Sequence, residues 1–228
     1  DIASLPPYDP SPLADLEFER GTLHAIEAGA RTNGWHAAPL GSAGLPQPLC
    51  VRLVERPEKA GARQAAIGHA ASHSGTSSLA AGAQAMLTQE VKSPRAGRYT
   101  FSVRACCRAG SPAQYASFVK NFRCRLVILG YRDPKKDPRQ ARHFASAPFE
   151  PPLWQPGSDA YQTFEVAATL RSQDGGAFET TMGVGVAVIV ENGSSSGLDL
   201  APDAEVWVLI DRADLTLDAR PRDDTVMV

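Results

Sequence analysis

Apolar and polar residues alternate strictly along residues 96–109, which is the clearest pattern in the chain. One side of this stretch carries Tyr99, Phe101, Val103, Ala105 and Cys107, and the other side carries Thr100, Ser102, Arg104 and Cys106. A period of two is typical of a β-strand that presents one face to a core and the other to solvent or a shallow cleft. Proline and glycine precede the stretch and Gly-Ser-Pro follows it, so both ends are bounded by turn residues. The pattern therefore predicts a long central strand.

Shorter runs of the same kind, each bounded by turn residues, predict strands along the rest of the chain. They cover residues 15–20, 49–54, 65–71, 77–80, 86–91, 122–131, 161–170, 182–190 and 205–217. The alanine-rich run 79–85 has helical propensity, but Gly82 interrupts it and no capping residues frame it, so a strand is preferred. Residues 111–121 have room for one helical turn, and the proline- and charge-rich residues 132–152 predict a long loop. Many short strands with little helical periodicity favour an all-β fold, an antiparallel sandwich of two sheets.

Composition and charge narrow the classes of function. The chain has 228 residues, of which 43% are hydrophobic, enough for the core of one sizeable β domain. Its formal net charge is -2 and its basic residues are scattered, which argues against a nucleic-acid partner. No apolar run is long enough to cross a bilayer, so we expect no membrane insertion. We expect the domain to span residues 15–219, between an N-terminal tail or linker at 1–14 and a polar C-terminal tail at 220–228.

Two of the four cysteines lie on predicted inward faces. Cys107 is on the inward side of the central strand, and Cys124 shares a face with Phe122, Leu126 and Ile128 in the next strong strand. If the two strands are neighbours, the two thiols face each other inside the sandwich. They then form either a disulfide, which would indicate an oxidising compartment, or two free thiols that pack as small apolar side chains. The sequence leaves both alternatives open.

Several short motifs also occur in an order found in a known family. They are F-E-x-G at 18–21, G-W at 34–35, S-G-x-x-S-L at 74–79, A-G-x-Y-T-F-S-V-R-A at 96–105, Y-x-x-F at 161–164 and V-L-I-D at 208–211. In this combination the chain resembles the jelly-roll carbohydrate-binding modules of the galactose-binding-domain-like group. The resemblance implies a jelly-roll sandwich and a partner that is a carbohydrate or a neighbouring domain of the same chain. It also implies an extracytoplasmic location, whether secreted, periplasmic or at the cell surface.

The same resemblance implies one structural calcium ion between the first and last strands. Glu19 and Asp211 match the family's acidic ligands, and Ser74 lies in the loop that matches a supplier of backbone oxygens. Calcium takes about six to eight oxygen ligands from carboxylates and carbonyls. The asparagine that often follows the last aspartate in the family is Arg212 in this chain. An alternative is therefore that Arg212 replaces the ion by pairing with Glu19 or Glu17.

Sugar binding by such a module needs aromatic rings that stack on a pyranose and polar groups that bind its hydroxyls. Trp154, in the sequence P-P-L-W-Q-P-G at the end of the predicted loop, is the best candidate for an exposed platform. Tyr131 begins that loop, and Tyr115 lies in the loop before it. Arg104 and Arg125 are predicted on the outward face of the two central strands, where their guanidinium groups would meet sugar hydroxyls. The alternatives are ordinary packing of these rings beneath a loop and a solvated sheet face for the arginines.

Motifs for catalysis are weak by comparison. His69 and His73 form H-x-x-x-H, but on a strand they would lie roughly 13 Å apart at about 3.3 Å per residue, too far for one metal ion. No nucleophile elbow and no dinucleotide-binding loop occurs in the sequence. His143, with Tyr131 and Arg142, would suit a polysaccharide-active enzyme only if the three side chains converged. The sequence thus favours a non-catalytic carbohydrate-binding module of a larger secreted or surface protein. A structural or protein-interaction domain is the alternative, and an enzyme is the third hypothesis.

Overall fold

The computed structural model describes residues 11, 13–19, 22–26, 34–39, 49–56, 58–70, 78–91, 97–131, 139, 141–157, 159–170 and 183–218. The first strands are β1 (His24–Ala25), β2 (His36–Ala38), β3 (Cys50–Arg56), β4 (Lys59–Ala70), β5 (Ser78–Leu79), β6 (Gln84–Val91) and β7 (Gly97–Ala109). They are followed by α1 (Pro112–Asn121), β8 (Phe122–Tyr131), β9 (Arg142–Phe149), β10 (Gln162–Leu170), β11 (Gly183–Asn192), β12 (Leu198–Asp199) and β13 (Glu205–Asp218).

These strands form two main sheets. One sheet has six strands in the order β1-β2-β6-β11-β8-β9, and the other has five in the order β10-β7-β13-β4-β3. Neighbouring strands are antiparallel except β1 and β2, and β5 pairs with β12 in a separate short ladder. The consecutive strands β6, β7 and β8 alternate between the two sheets, as the double-sheet arrangement of a jelly roll requires. The predicted all-β fold, an antiparallel two-sheet jelly-roll sandwich, is confirmed.

The main core lies between the two sheets. The predicted inward side of β7 is buried, with each of its side chains at most 1% exposed: Tyr99, Phe101, Val103, Ala105 and Cys107. The strand β11 is buried on both faces, as its continuous apolar sequence predicts. Its alternate residues Ala187 and Ile189 join a small cluster with Val127 and Leu129 on the outer side of the six-stranded sheet. Both sheets therefore carry apolar residues on faces that the main core does not cover.

The first described residues lie against the last strand, β13. The amide of Ala213 donates a hydrogen bond to the carbonyl of Leu16 at 2.9 Å. The hydroxyl of Ser11 donates another to the carbonyl of Leu215 at 3.1 Å. Leu13, between these two contacts, is only 6% exposed and belongs to the main core. The beginning of the domain is therefore closed against its end.

The prediction of a strand at residues 15–20 is wrong, because the described residues of this stretch form turns. Asp15 and Phe18 have φ angles of 54° and 58°, in the left-handed region, which an extended strand does not contain. Phe18 is buried all the same, since the turn brings its ring to 5.3 Å from the ring of Trp35. Both side chains are 1% exposed. The apolar pattern thus identified a core residue correctly but assigned it to the wrong backbone conformation.

The stretch 132–152, predicted as a loop, contains the strand β9. This strand pairs with β8 and lies at the edge of the six-stranded sheet. An edge strand tolerates a proline such as Pro148, because the backbone position facing away from the sheet needs no donor. Most of its side chains are exposed or half-buried, so strong apolar alternation is missing from its sequence. The prediction of a loop was wrong for these physical reasons.

The helix α1 is longer than the single predicted turn. It begins after Ser111, whose hydroxyl oxygen accepts a hydrogen bond from the amide of Gln114 at 3.2 Å, and Pro112 lies in its first turn. Phe118 is its buried residue, and its ring lies 5.0 Å from that of Phe122. Within the described part of the chain, no helix has the length and apolar character needed to span a bilayer.

Candidate functional site

A second apolar cluster lies on the outer face of the five-stranded sheet. Along β13, Val206 and Val208 point into the main core, whereas Trp207 and Leu209 point to the opposite face. The buried members of this outer-face cluster are Cys50, Ala66, Ala70, Cys106, Trp207 and Leu209, and packed against them are Val54, Trp154, Ala160 and Tyr161. Large apolar patches are seldom left open to water. The cluster therefore marks a place where another part of the chain covers the sheet.

The cover comes from the segment between β9 and β10. The amide of Cys107 donates a hydrogen bond to the carbonyl of Pro152, and the amide of Trp154 donates one to the carbonyl of Cys107, both at 2.7 Å. The segment thus runs beside β7 beyond the end of the β7–β10 ladder. On α1, the hydroxyl of Tyr115 donates to the carbonyl of Pro151 at 3.1 Å. Backbone pairing and this side chain together fix the position of Trp154.

Trp154 is half-buried at the edge of the outer-face cluster. Its indole Nε1 donates a hydrogen bond to Glu58 Oε1 at 2.8 Å. Glu58 is exposed and lies between β3 and β4, so its carboxylate comes from a different part of the chain. The contact fixes the ring orientation while leaving part of the indole open to solvent. The sequence predicts an exposed platform at Trp154, and in the structure this ring is half-buried.

The guanidinium group of Arg104 connects this region to a network of charges. It forms ion pairs with the carboxylates of Asp211 and Asp159, the latter at 2.6 Å. Arg56 donates a hydrogen bond to the carbonyl of Asp211 at 2.7 Å. The Asp211 side chain is 5% exposed, and burial raises its pKa while Arg104 and Arg56 act in the opposite direction. The Asp159 side chain is 73% exposed, so the network leads from the buried face of the sheet to the surface.

Tyr161 lies between this network and the sheet. Its hydroxyl donates a hydrogen bond to Gln64 Oε1 at 2.6 Å, and Gln64 is 0% exposed. The Arg104 guanidinium lies 4.9 Å from the centre of the Tyr161 ring, within the range of a cation–π contact. Burial is the main cause that raises the pKa of Tyr161, and the nearby Cys106 adds to it. The phenol therefore stays neutral and acts as a hydrogen-bond donor.

Three buried polar atoms on this face have no hydrogen-bond partner among the described residues. They are Arg52 Nε, Gln64 Nε2 and Asp211 Oδ1. The guanidinium of Arg52 also lies 3.9 Å from the ring centre of Trp207. Buried polar groups in proteins are nearly always hydrogen-bonded. The covered face therefore contains enclosed polar atoms without partners beside aromatic rings.

The five predicted binding residues do not form one site. Trp154 and Arg104 both belong to the outer-face region. Arg125 lies on the outer face of the other sheet, where it bonds Glu191 at 2.7 Å, because β7 and β8 belong to different sheets. The expectation that Arg104 and Arg125 line a common face is therefore wrong. Tyr115 lies on α1 rather than in a loop and contacts the backbone of the covering segment, and the side chain of Tyr131 is outside the described part of the molecule.

Sequence reasoning missed Arg52, Gln64 and Tyr161 as members of this region. Trp207 is a further member: it is 3% exposed and belongs to the outer-face cluster rather than to the main core. The sequence of β13 did contain a signal for this region. Its residues are apolar on both faces of the strand, although only one of these faces lies in the main core. Such a strand indicates that something covers its second face. The sequence does not show which segment supplies the cover.

The predicted calcium ligands do not assemble a site among the described residues. The carboxylate of Asp211 is engaged by Arg104, Glu19 is exposed, and Ser74 lies outside the described part of the chain. Over the residues that the structure describes, no three His, Cys, Asp or Glu side chains come together as metal ligands. Arg212 lies 3.6 Å from Glu17, one of the two pairings expected if an arginine took the place of the ion. The described residues, with these contacts, do not form a calcium site. The calcium ion remains a prediction.

The four cysteines, Cys50, Cys106, Cys107 and Cys124, are buried free thiols in the structure. The last two lie on β7 and β8 of opposite sheets and both point into the main core. Burial raises the pKa of the Cys124 thiol to about 12 and raises that of Cys107 as well. This arrangement corresponds to the alternative of two small apolar side chains rather than a disulfide.

Of the three residues suggested for an enzyme, the two whose side chains are described do not converge. Arg142 and His143 are consecutive exposed residues of β9, and consecutive strand residues point to opposite faces. Burial and the charge of Arg125 lower the pKa of His143. The Tyr131 side chain lies outside the described residues.

No protein-family model matches this chain, and the search of curated proteins found no match. Solved structures with a similar fold are mainly carbohydrate-binding modules. The structure of TmCBM61 in complex with beta-1,4-galactotriose has a TM-score of 0.46 and 16% identity, over 92% of this chain and 100% of that chain. A cyclase from Fischerella sp. TAU in complex with 4-(1H-indol-3-yl)butan-2-one has a TM-score of 0.50 and 14% identity, over 91% of this chain and 96% of that chain.

A structure of carbohydrate-binding modules from the beta-sandwich superfamily has a TM-score of 0.44 and 13% identity, over 91% of this chain and 62% of that chain. At identities this low the similarity concerns the fold. At that level, the jelly-roll sandwich that the resemblance implies agrees with the strand order of the structure itself. A fold does not determine a function, so the function has to be argued from the site.

Proposed function

We propose that this protein is a non-catalytic carbohydrate-binding module and that it holds a glycan against the outer face of the five-stranded sheet, at Trp154. The observation that carries the proposal is the half-exposed indole, fixed by its 2.8 Å hydrogen bond to Glu58. In our view the ligand is part of a polysaccharide outside the cytoplasm, and the protein works beside a neighbouring domain of the same chain.

The chemistry of the face supports this proposal. The flat apolar side of a pyranose stacks on an indole ring, and the hydroxyls around its rim seek charged or polar partners. Arg104 is 35% exposed and Asp159 is 73% exposed, so both can reach a ligand from the surface end of the network. Their mutual ion pair holds them in position without burying either group fully. One aromatic platform and a few polar groups predict weak binding, with a Kd on the order of 1 mM, which corresponds to about 4 kcal/mol.

Retention of the purified protein on a panel of insoluble and gel-embedded polysaccharides tests the proposal. We expect the wild type to be retained on at least one glycan and Trp154→Ala to lose that retention. Trp154→Phe keeps a ring but loses the indole N–H, so it should retain part of the affinity. A wild type that binds no glycan, or a Trp154→Ala variant that binds as well as the wild type, contradicts the proposal.

A second function is supported by a different aspect of the same residue. Trp154 also packs against the outer-face cluster and joins the covering segment to Glu58, as expected for a ring that fills the gap between a sheet and a loop. A structural or protein-interaction domain needs no more than this. In that case Trp154→Ala lowers the free energy of unfolding, and the wild type shows no retention on any glycan.

A further inference from the structure

A cavity of about 280 Å³ lies at one end of the sandwich, apart from the outer-face cluster. It is bounded by α1, by the first residue of β8, by the inward side of β4 and β13, and by β12 with the residues that follow it. Apolar side chains form much of its wall, including Phe118, Phe122, Leu200 and Val206. This volume is slightly below the range of about 300–1,000 Å³ that is typical of small-molecule sites, and it has room for one ring-sized molecule.

His69 is the residue of this wall that has a buried ring nitrogen without a partner among the described residues. Its ring is 3% exposed and lies 5.9 Å from the ring of Phe122, which in turn lies 5.0 Å from that of Phe118. These three rings are stacked, with interplanar angles of 23° and 20°. The Nε2 atom of His69 is buried and has no hydrogen-bond partner among the described residues. Burial lowers the pKa of His69 to about 4, so the ring is neutral at neutral pH.

The other polar groups of the wall are committed or lie at its rim. Gln114 Oε1 accepts hydrogen bonds from the amides of Gly110 and Glu205, at 3.1 and 3.2 Å. Its Nε2 donates to the carbonyl of Asp203 at 3.3 Å. The charged residue of the described wall is Asp199, which is exposed and negative. The cavity therefore offers an anion no cationic partner, and it favours a neutral ligand.

We propose that this cavity binds a small neutral aromatic alcohol of the phenol type, with its ring beside Phe118 and Phe122 and its hydroxyl on the imidazole of His69. A hydroxyl both donates and accepts a hydrogen bond, so it suits either tautomer of the neutral ring. A flat ring extends the stack that His69, Phe122 and Phe118 already form. The bond would satisfy a buried atom that otherwise bears an uncompensated cost of desolvation.

This site is independent of the proposed glycan site. Trp154 and Arg104 lie on the outer face of the sheet, whereas His69 points to its inner face. If the protein binds no glycan, the phenol site is unaffected. The Trp154→Ala variant should bind phenol as the wild type does. Failure of one proposal is therefore distinguishable from failure of the other.

Titration of the protein with phenol, benzene and benzoate, followed by amide chemical shifts, tests the inference. We expect phenol to bind and to shift signals of α1 and β4. Benzene, which lacks the hydroxyl, should bind about three- to tenfold more weakly, the fold-change of one neutral hydrogen bond. Benzoate should not bind. Equal affinity for phenol and benzene, or no binding of either, as when the cavity holds only water, overturns the proposal.

Two variants on α1 localise the binding. Ala113 is exposed and lines the cavity, so Ala113→Phe should block it and abolish phenol binding. Ala116 is exposed on the same helix but does not line the cavity, so Ala116→Phe is the matched control and should bind phenol like the wild type. His69→Phe keeps a ring and removes the nitrogens, and its affinity for phenol should fall to that for benzene. If His69→Phe does not fold, the two α1 variants test the location of the site. Equal phenol binding by Ala113→Phe and Ala116→Phe would refute the assignment of phenol to this cavity.

Discussion

The hydroxyl of Tyr161 donates a hydrogen bond to Gln64 Oε1 across 2.6 Å. Gln64 lies on β4 and is 0% exposed, and its Nε2 has no partner among the described residues. Tyr161 immediately precedes β10 and packs against the outer-face cluster. The bond therefore joins the covering segment to a buried amide side chain beneath it. Without this bond, both ends of the Gln64 amide would be buried and unsatisfied.

We expect Tyr161→Phe to lower the free energy of unfolding by about 1–3 kcal/mol, the cost of leaving a buried acceptor unsatisfied. The ring and its packing remain, so the loss reports the hydrogen bond. Urea denaturation followed by fluorescence measures it. Tyr115→Phe is the matched control, since its hydroxyl bonds a carbonyl at 3.1 Å in a half-buried position that water can reach. Equal losses of unfolding free energy in the two variants would show that the burial of Gln64 does not increase the cost of losing the hydrogen bond.

The buried imidazole of His69 predicts a dependence of stability on pH. Its pKa is about 4 in the folded protein and about 6.5 when unfolded, so the unfolded chain takes up the proton first. The contribution of the neutral ring to the free energy of unfolding is complete above pH 6.5 and is lost as the pH falls toward 4. We expect the wild type to lose about 3 kcal/mol of unfolding free energy over this interval relative to His69→Phe. Denaturant unfolding of both proteins at several pH values measures the difference, and parallel pH curves would contradict it.

The four buried thiols predict slow chemical modification of the native protein. The pKa of Cys106 and that of Cys124 are both raised to about 12 by burial, so reactive thiolate is scarce at neutral pH. We expect an aromatic disulfide reagent to modify none of the four thiols in the native protein and all four after unfolding in guanidinium without reductant. If Cys107 and Cys124 form a disulfide, only two thiols will react in the unfolded protein until a reductant is added. The same measurement therefore decides between a Cys107–Cys124 disulfide and two free thiols.

Local periodicity was sufficient to predict the strands with one clear buried face. The bounds of β8 match the prediction, and those of β10 and β13 differ by one residue, because a period of two is a property of consecutive residues. The strand β9 was missed because an edge strand buries little and tolerates proline. The turns around Phe18 were missed because left-handed backbone at ordinary residues is imposed by tertiary contacts.

The candidate site was only half predictable for a related reason. Trp154 and Arg104 stood out from the sequence by residue type and position. Trp154 pairs with Glu58, from between β3 and β4, and Arg104 pairs with Asp211 of β13. Both partners are distant in the chain, and the sequence contains no local signal for these contacts. The separation of β7 and β8 into opposite sheets is likewise a property of the topology. For this reason the predicted partnership of Arg104 and Arg125 fails, although each residue lies on an outward face as expected.

The opposite placement of these two arginines gives a matched test of where glycan binds. Arg104→Ala removes a half-exposed donor beside Tyr161, and we expect it to weaken retention on the glycan that the wild type binds by about tenfold, the effect of one charge-assisted hydrogen bond. Arg125→Ala removes an arginine of similar exposure, 32%, from the other face and should leave retention unchanged. Because Arg104 also neutralises the buried Asp211, the stability of each variant is checked first, and Asp159→Asn gives a milder change at the exposed end of the network. Loss of retention in Arg125→Ala with none in Arg104→Ala would move the binding face to the six-stranded sheet.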